Sequence, residues 1–523
     1  MFTSLVLTID LGTSGPKVSV FNEKAEMIDS EFAPTRLIFT PDGGVEQNPA
    51  EWISAIFAAY NQMVARKKFH PKQIETLSIT SQWSGTVPVD RHGNTLMNAI
   101  IWMDARGAEY AQKLTDGFLK IDGYDVFKIL KWIRITGGGP TRSGKDSIAH
   151  ILYLQHKRPD VYDHTQFFLE PKDYLNYYFT GRAAASFDSI TLHWITDNRD
   201  INKIKYHNGL IKATGIDRSK LPELVPTNTV LGEMKRDIAE KMGVSSHVKV
   251  VSGSPDTHSA AVGSGAVKDF EGHVYVGTSG WVLTHVPFKK TDLFHNMATI
   301  PSSLPGRYLL INEQETSGVC LNFLRNNIFF ISDYISQVSS PADFYQLADK
   351  EVAKVPAGSN GVMFTPWLNG ERSPVDDHKT RASFINLGLK NTRGDMIRSV
   401  YEGVANNNRW LMQYVEKLIE KRFEALRIIG GGAKSEIWCQ IMADVLNRDI
   451  LQVEDPIAAN SRGAALLALT ATGKMDMDDI GEAVKVRKIF TPNPQHRQLY
   501  DERFEIYRSI YHKQRSIFKR LNA

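Results

Sequence analysis

Apolar and polar positions alternate near the amino terminus, where Leu5, Leu7 and Ile9 interleave with Val6, Thr8 and Asp10, and the run Lys17-Val18-Ser19-Val20-Phe21 resumes the pattern after a glycine-rich stretch. This predicts a β-hairpin bent around glycines. Apolar residues recur at three- and four-residue spacing over 50–67, 105–114, 147–156, 395–419 and 435–446, which predicts helices. Short β-runs at 76–80, 247–251, 273–276 and 426–429 fall between them, so the class is α/β. Phe504, Tyr507 and Tyr511 sit at helical spacing within 500–521 and predict a final helix docked on the body.

One repeat organises the chain. Gly12-Thr13-Ser14-Gly15 returns as Gly277-Thr278-Ser279-Gly280, each copy between a β-run and a returning β-run. Two similar halves, 1–265 and 266–523, are expected, with a cleft between them.

Composition narrows the possibilities. The 523 residues, 42% hydrophobic and 23% charged, suit a globular protein of two or three large units. With 62 Lys and Arg against 58 Asp and Glu, the surplus is too small for a nucleic-acid footprint. Cys320 and Cys439 are the only cysteines, which argues against a disulfide framework or a thiolate metal site. There is no signal-peptide pattern and no apolar run of membrane-spanning length, so a cytoplasmic protein without a membrane partner is expected. A monomer and a homodimer are both compatible with the sequence.

A hairpin turn reading Gly-Thr-Ser-Gly offers backbone N–H groups and hydroxyls to a phosphate chain. Two copies, the first preceded by Asp10 and followed by Lys17, favour nucleoside triphosphate chemistry, because the carboxylate can hold a hydrated Mg²⁺ beside the phosphates. Gly430-Gly431-Gly432-Ala433 lies between a β-run and a helix starting near Ser435, an arrangement that takes a phosphate or lets an adenosine lie flat. Asp256 follows a β-run that ends at Gly253 and is placed either as a general base at a cleft or as a helix cap. Gln82 and Asp104 can bond sugar hydroxyls, and Trp83 and Trp102 can pack on the carbon face of a sugar. The run 139–145 satisfies the Gly-x-x-x-x-Gly-Lys spacing of a P-loop, but Asp146 replaces the required Ser or Thr and Pro140 removes an N–H. A loop ending in a helix cap at Asp146 or Ser147 is expected there instead.

Together the segments DLGTSGPK, WMDAR, SGSPD, YVGTSGW, PWLNGER (366–372) and GGGAKSEIWCQIMADVLN resemble the FGGY family of carbohydrate kinases, in the family's order and from Asp10 to about Leu469. Residues 382–402 are similar to the second family signature, with Asn386 where the family usually has glycine. The resemblance implies two ribonuclease-H-like domains of the actin/hexokinase/Hsp70 type closing over Mg-ATP and a sugar or polyol. It also implies that Asp256 is the catalytic base and Asp10 the metal-positioning carboxylate. Gly12, Thr13 and Ser14, with Gly277, Thr278 and Ser279, match the phosphate loops, and Gly431, Gly432 and Ser435 the adenosine site. SQWSGTVPVD and AIIWMDARG are most similar to the xylulose kinases, which typically carry Met-His where this chain has Trp83-Ser84. The implied reaction is ATP-dependent phosphorylation of a ketopentose, D-xylulose first. Kinases of ribulose, erythritol or a deoxy-ketohexose are alternatives, and a non-catalytic nucleotide sensor is a third.

Overall fold

A computed structural model of the chain describes residues 4–121, 123–331, 333–334 and 337–522. The first hairpin forms as its pattern predicts, Leu5–Gly12 against Gly15–Phe21, but Leu5 to Leu11 are buried on both faces. The cause is position. Leu5–Gly12 is an inner strand of a six-stranded sheet ordered Val230–Glu233, Lys249–Pro255, Ile74–Ser81, Leu5–Gly12, Gly15–Phe21, Met27–Phe32, and helices cover both faces. The helix Pro49–Ala65, capped by Asn48 and opened by Pro49, buries Trp52, Ile56, Tyr60 and Met63 in this half's core.

The second half carries an eight-stranded sheet ordered Thr291–Asp292, Met297–Pro301, Tyr308–Ile311, Gly280–Val286, Gly272–Val276, Ala425–Ile429, Asp449–Val453, Val486–Phe490. The helices Arg393–Ile419 and Glu436–Leu446 pack on it to form the largest core. The closing helix, Arg497–Leu521, buries Phe504, Tyr507 and Tyr511 against Trp367 and Trp410. Asn386 adopts φ +66, a left-handed conformation that Asn tolerates better than most residues.

One local expectation is corrected. The β-run before Asp256 does not end at Gly253: the strand Lys249–Pro255 continues through a bulge there. Gly253 has φ +63, and a Cβ would lie 1.8 Å from the Ile79 carbonyl oxygen, so only glycine lets the strand stay beside its neighbour.

The helices Asp256–Gly263 and Ala459–Ala471 cross between the sheets. A Cβ on Gly263 would lie 1.8 Å from the Ala459 carbonyl oxygen, and one on Gly463 1.8 Å from that of Ser259. Each helix also covers the other half's sheet. Ala261 packs on Leu283 and Leu309, whereas the Ala459–Ala471 helix lies on Leu5–Gly12, Ile74–Ser81 and Lys249–Pro255. Arg462 ties the crossing by donating from Nε to the Gly263 carbonyl at 2.9 Å. Among the described residues, no helix is long and apolar enough to cross a membrane.

Candidate active site

Strand register gathers the chemistry. In the first sheet Leu11 pairs with Ser81 and Ser81 with Pro255. Three parallel strands therefore end level, and the residues that follow are Gly12–Gly15, Gln82-Trp83 and Asp256, at the edge where α/β sheets bind ligands. In the second sheet Tyr275 pairs with Ile429, and Ile428 with Gln452, which brings Gly277–Ser279, Gly430–Ser435 and the turn 454–458 to one edge. The two edges meet where Lys17 Nζ donates to the Ile457 carbonyl at 3.1 Å, with Asp10 Oδ2 3.7 Å away.

The repeated turns are not copies in register. Gly12 pairs with Gly15 around a two-residue loop, whereas Val276 pairs with Gly280 and leaves Gly277, Thr278 and Ser279 as a three-residue loop. Thr13 is already engaged, donating its hydroxyl to Gln82 Oε1 at 3.0 Å and accepting from Trp102 Nε1 at 3.0 Å. Thr278 is exposed, and its backbone oxygen accepts from the Ser317 N–H at 2.9 Å.

Asp256 is the first residue of its helix, and its Oδ1 accepts from the Thr257 N–H at 2.7 Å. Burial, with a further push from the Asp10 and Glu313 charges, raises its pKa to about 7. A carboxyl titrating there can accept a proton near neutrality. Burial also raises the pKa of Asp10, opposed by Lys17 and by bonds to Asn460 and Ser461.

The sequence alone assigns PWLNGER no role. In the structure Arg372 bridges Glu313 and Glu315, and buried Glu371 accepts from the Glu315 N–H at 2.9 Å and from Asn407 Nδ2 at 2.6 Å. Glu313 also accepts from Ser279, so this cluster braces the Gly277–Ser279 turn. Neither Glu313 nor Glu315 falls in a pattern that singles it out; only the fold brings them to the cleft.

The sugar candidates divide. Trp83 is half-buried, with Nε1 donating to the Ser189 carbonyl at 2.9 Å and its ring edge-on to His258. Gln82 is buried between Thr13 and Gln47, donating to Gln47 Oε1 at 2.6 Å. Asp104 is 1% exposed and accepts from Arg106 and from the Val45 N–H at 2.9 Å. It therefore anchors the wall of the site instead of offering a free carboxylate to a sugar, because a buried charge must be paired.

Gly431 faces open space, with no atom within 4 Å of where a Cβ would stand. Such a cradle fits a flat ligand. Ser435 beside it is committed, capping its helix through the Trp438 N–H at 3.1 Å and donating to Asp349 Oδ1 at 2.8 Å. Its hydroxyl shapes the loop more directly than it presents a donor.

Among the described residues, no hydrogen bond links the P-loop look-alike to either Gly-Thr-Ser-Gly turn. Asp146 occupies the cap position, but its carboxylate turns back to the Thr141 N–H and to Trp194 Nε1, both at 2.7 Å, and the Lys145 carbonyl accepts from Ser84 Oγ at 2.6 Å. The loop braces the turn that carries Trp83.

A hydrated Mg²⁺ would suit Asp10 on chemical grounds: a buried carboxylate two residues before Gly12, beside the Lys17 that reaches the second half. Among the described residues no group of three or more His, Cys, Asp or Glu converges to hold a metal unaided. Phosphate oxygens and water would have to complete its oxygen shell.

Fold and site together define a phosphotransferase with an alcohol acceptor, built on the two-domain actin/hexokinase-like ATPase fold. Family models support this over most of the length: the FGGY family of carbohydrate kinases, N-terminal domain, matches residues 5–263, and its C-terminal domain residues 272–472. The chain belongs to the FGGY family of carbohydrate kinases. It is 27% identical over 513 residues to a xylulose kinase of Staphylococcus epidermidis, covering 98% of this chain and 97% of that one. It is also 27% identical over 486 residues to a gluconokinase of Bacillus subtilis, covering 91% and 89%. Among solved structures it is similar to the ligand-bound xylulose kinase of Lactobacillus acidophilus, with TM-score 0.84 and 23% identity over 99% of this chain and 100% of that one.

Proposed function

We propose that the chain transfers the γ-phosphoryl group of ATP to the terminal hydroxyl of a ketopentose, D-xylulose first, giving D-xylulose 5-phosphate. The observation that carries this is Asp256: a carboxyl with a pKa near 7, level with the sugar turn on its own sheet and within reach of the charge of Glu313, which accepts from Ser279. In this reading residues 1–265 supply the sugar site, the first phosphate turn and the base, and residues 266–523 the second phosphate turn and the adenosine seat. Asp256 accepts the proton of the attacking hydroxyl. Trp83 supports the carbon face of the sugar while Gln82 and Asp104 hold that wall from behind. Gly12, Thr13, Ser14 and Lys17, opposite Gly277, Thr278 and Ser279, line the phosphates, and Gly431, Gly432 and Ser435 frame the adenosine. Asp10 would hold a Mg²⁺ through water, and the ion would supply charge neutralisation to the phosphates. Full-length relatives named xylulose kinase favour the ketopentose. Sugar and ATP are the only partners the reading needs, in a cytoplasmic setting.

A panel of D-xylulose, ribulose, erythritol, a deoxy-ketohexose and gluconate, assayed for ADP release, tests the substrate. D-xylulose is expected to give the highest kcat/KM, by about tenfold or more. Gluconate in first place would overturn the ketopentose, and no ADP release with any of them would favour the sensor.

A second expectation separates the two phosphate-site readings. Lys145→Ala should leave nucleotide affinity nearly unchanged, because its loop braces the sugar turn, whereas Thr278→Ala should weaken it. Calorimetry that shows nucleotide binding collapsing in Lys145→Ala alone would reverse the assignment.

A further inference from the structure

Asp10 stands two residues before Gly12, and Tyr275 stands two residues before Gly277. The repeat thus puts a phenol in the second half where the first half has its buried carboxylate. Tyr275 stacks on Trp281, with ring centroids 3.9 Å apart and planes at 11°, and Trp281 is itself fixed by donating from Nε1 to His273 at 3.0 Å. The Tyr275 ring is therefore held rigidly. It lies between the two glycine segments of its sheet edge: Cδ2 would be 3.0 Å from a Cβ on Gly430, and the hydroxyl oxygen 2.1 Å from a Cβ on Gly277. Gly277 has to be glycine because this hydroxyl rests against it. The ring spans the gap that a phosphate chain must cross if adenosine sits at Gly431 and the terminal phosphates at Gly277–Ser279.

Three carboxylates, Asp256, Asp10 and Glu313, lie near enough to act on the phenol, and burial together with their charges pushes its pKa up to about 12. It stays a donor at any pH where the enzyme works. Tyr275 is half-buried, and among the described residues its hydroxyl bonds to no protein group. A rigid, protonated donor without a partner, set between the two seats of a nucleotide, matches what a polyanion needs.

We propose that the Tyr275 hydroxyl donates a hydrogen bond to a phosphate oxygen of the bound nucleotide and so positions the phosphate chain, an inference that rests on the assignment of Gly277–Ser279 and Gly430–Ser435 as the nucleotide seat. Tyr275→Phe tests it, because the phenyl ring keeps the stack on Trp281 and the contact with Gly430 while only the hydroxyl is lost. Calorimetric titration without sugar should show affinity for ADP and for a non-hydrolysable ATP analogue falling by about tenfold or more, the usual worth of a hydrogen bond to a charged group. Adenosine affinity should be unchanged. Thr278→Ala is measured alongside. If Thr278→Ala weakens ADP and analogue binding but Tyr275→Phe does not, the Tyr275 contact is overturned and the seat stands. If neither variant weakens binding, the seat is wrong and the contact falls with it. An equal loss of adenosine affinity in Tyr275→Phe would also overturn the proposal, since the ring would then act by packing alone.

Discussion

Asp256→Asn is expected to lower kcat by about 10²–10⁴-fold, the usual worth of a general base, while nucleotide affinity stays within about twofold. The amide keeps the shape and cannot take the proton. For the unmodified enzyme, kcat/KM should fall as the pH drops below about 7, because the base works only when ionised and burial raises its pKa to that value. Stability should respond in the opposite sense. A carboxyl whose pKa is higher in the folded than in the unfolded state favours folding while protonated, and that contribution is lost as the pH rises through about 7. Asp256→Asn should therefore raise the Tm of the nucleotide-free protein at pH 8 more than at pH 5. A variant with near-normal turnover would remove Asp256 from the role of base.

Gly463→Ala should destabilise the fold by about 3 kcal/mol, at the upper end for overpacking, since the new methyl would stand 1.8 Å from a backbone oxygen that cannot rotate away. Gly431→Ala provides the contrast. Its methyl would meet no atom within 4 Å, so stability should hold while nucleotide affinity falls as the cradle fills. Urea unfolding and nucleotide titration of both variants check the pair; an unchanged unfolding midpoint for Gly463→Ala would show that the helix crossing can relax.

Alternation and helical spacing make the elements legible, because inner strands and amphipathic helices carry their own periodicity. The level ending of Leu11, Ser81 and Pro255 is not legible, since register between strands leaves no mark in any one of them. The bulge at Gly253 reads as an end, because a glycine that permits close approach and one that stops a strand look alike in sequence. Motif residues can be located from sequence, but their partners cannot. Asp104 reads as a sugar ligand, whereas in the fold Arg106 occupies it, and Glu313, Arg372 and Tyr275 gain meaning only where the fold brings them to the cleft.

The crossed helices also constrain how the chain is made. Part of the cover for the first sheet is the Ala459–Ala471 helix, which leaves the ribosome long after the first half is complete. An interval on the order of 200 residues, at ~5–20 residues per second, is a wait of ~10–40 s, during which Leu5–Gly12 and its neighbouring strands show an apolar face. Until that helix emerges, the first half lacks part of the cover for its own sheet, so burial of that face is completed only with synthesis of the second half.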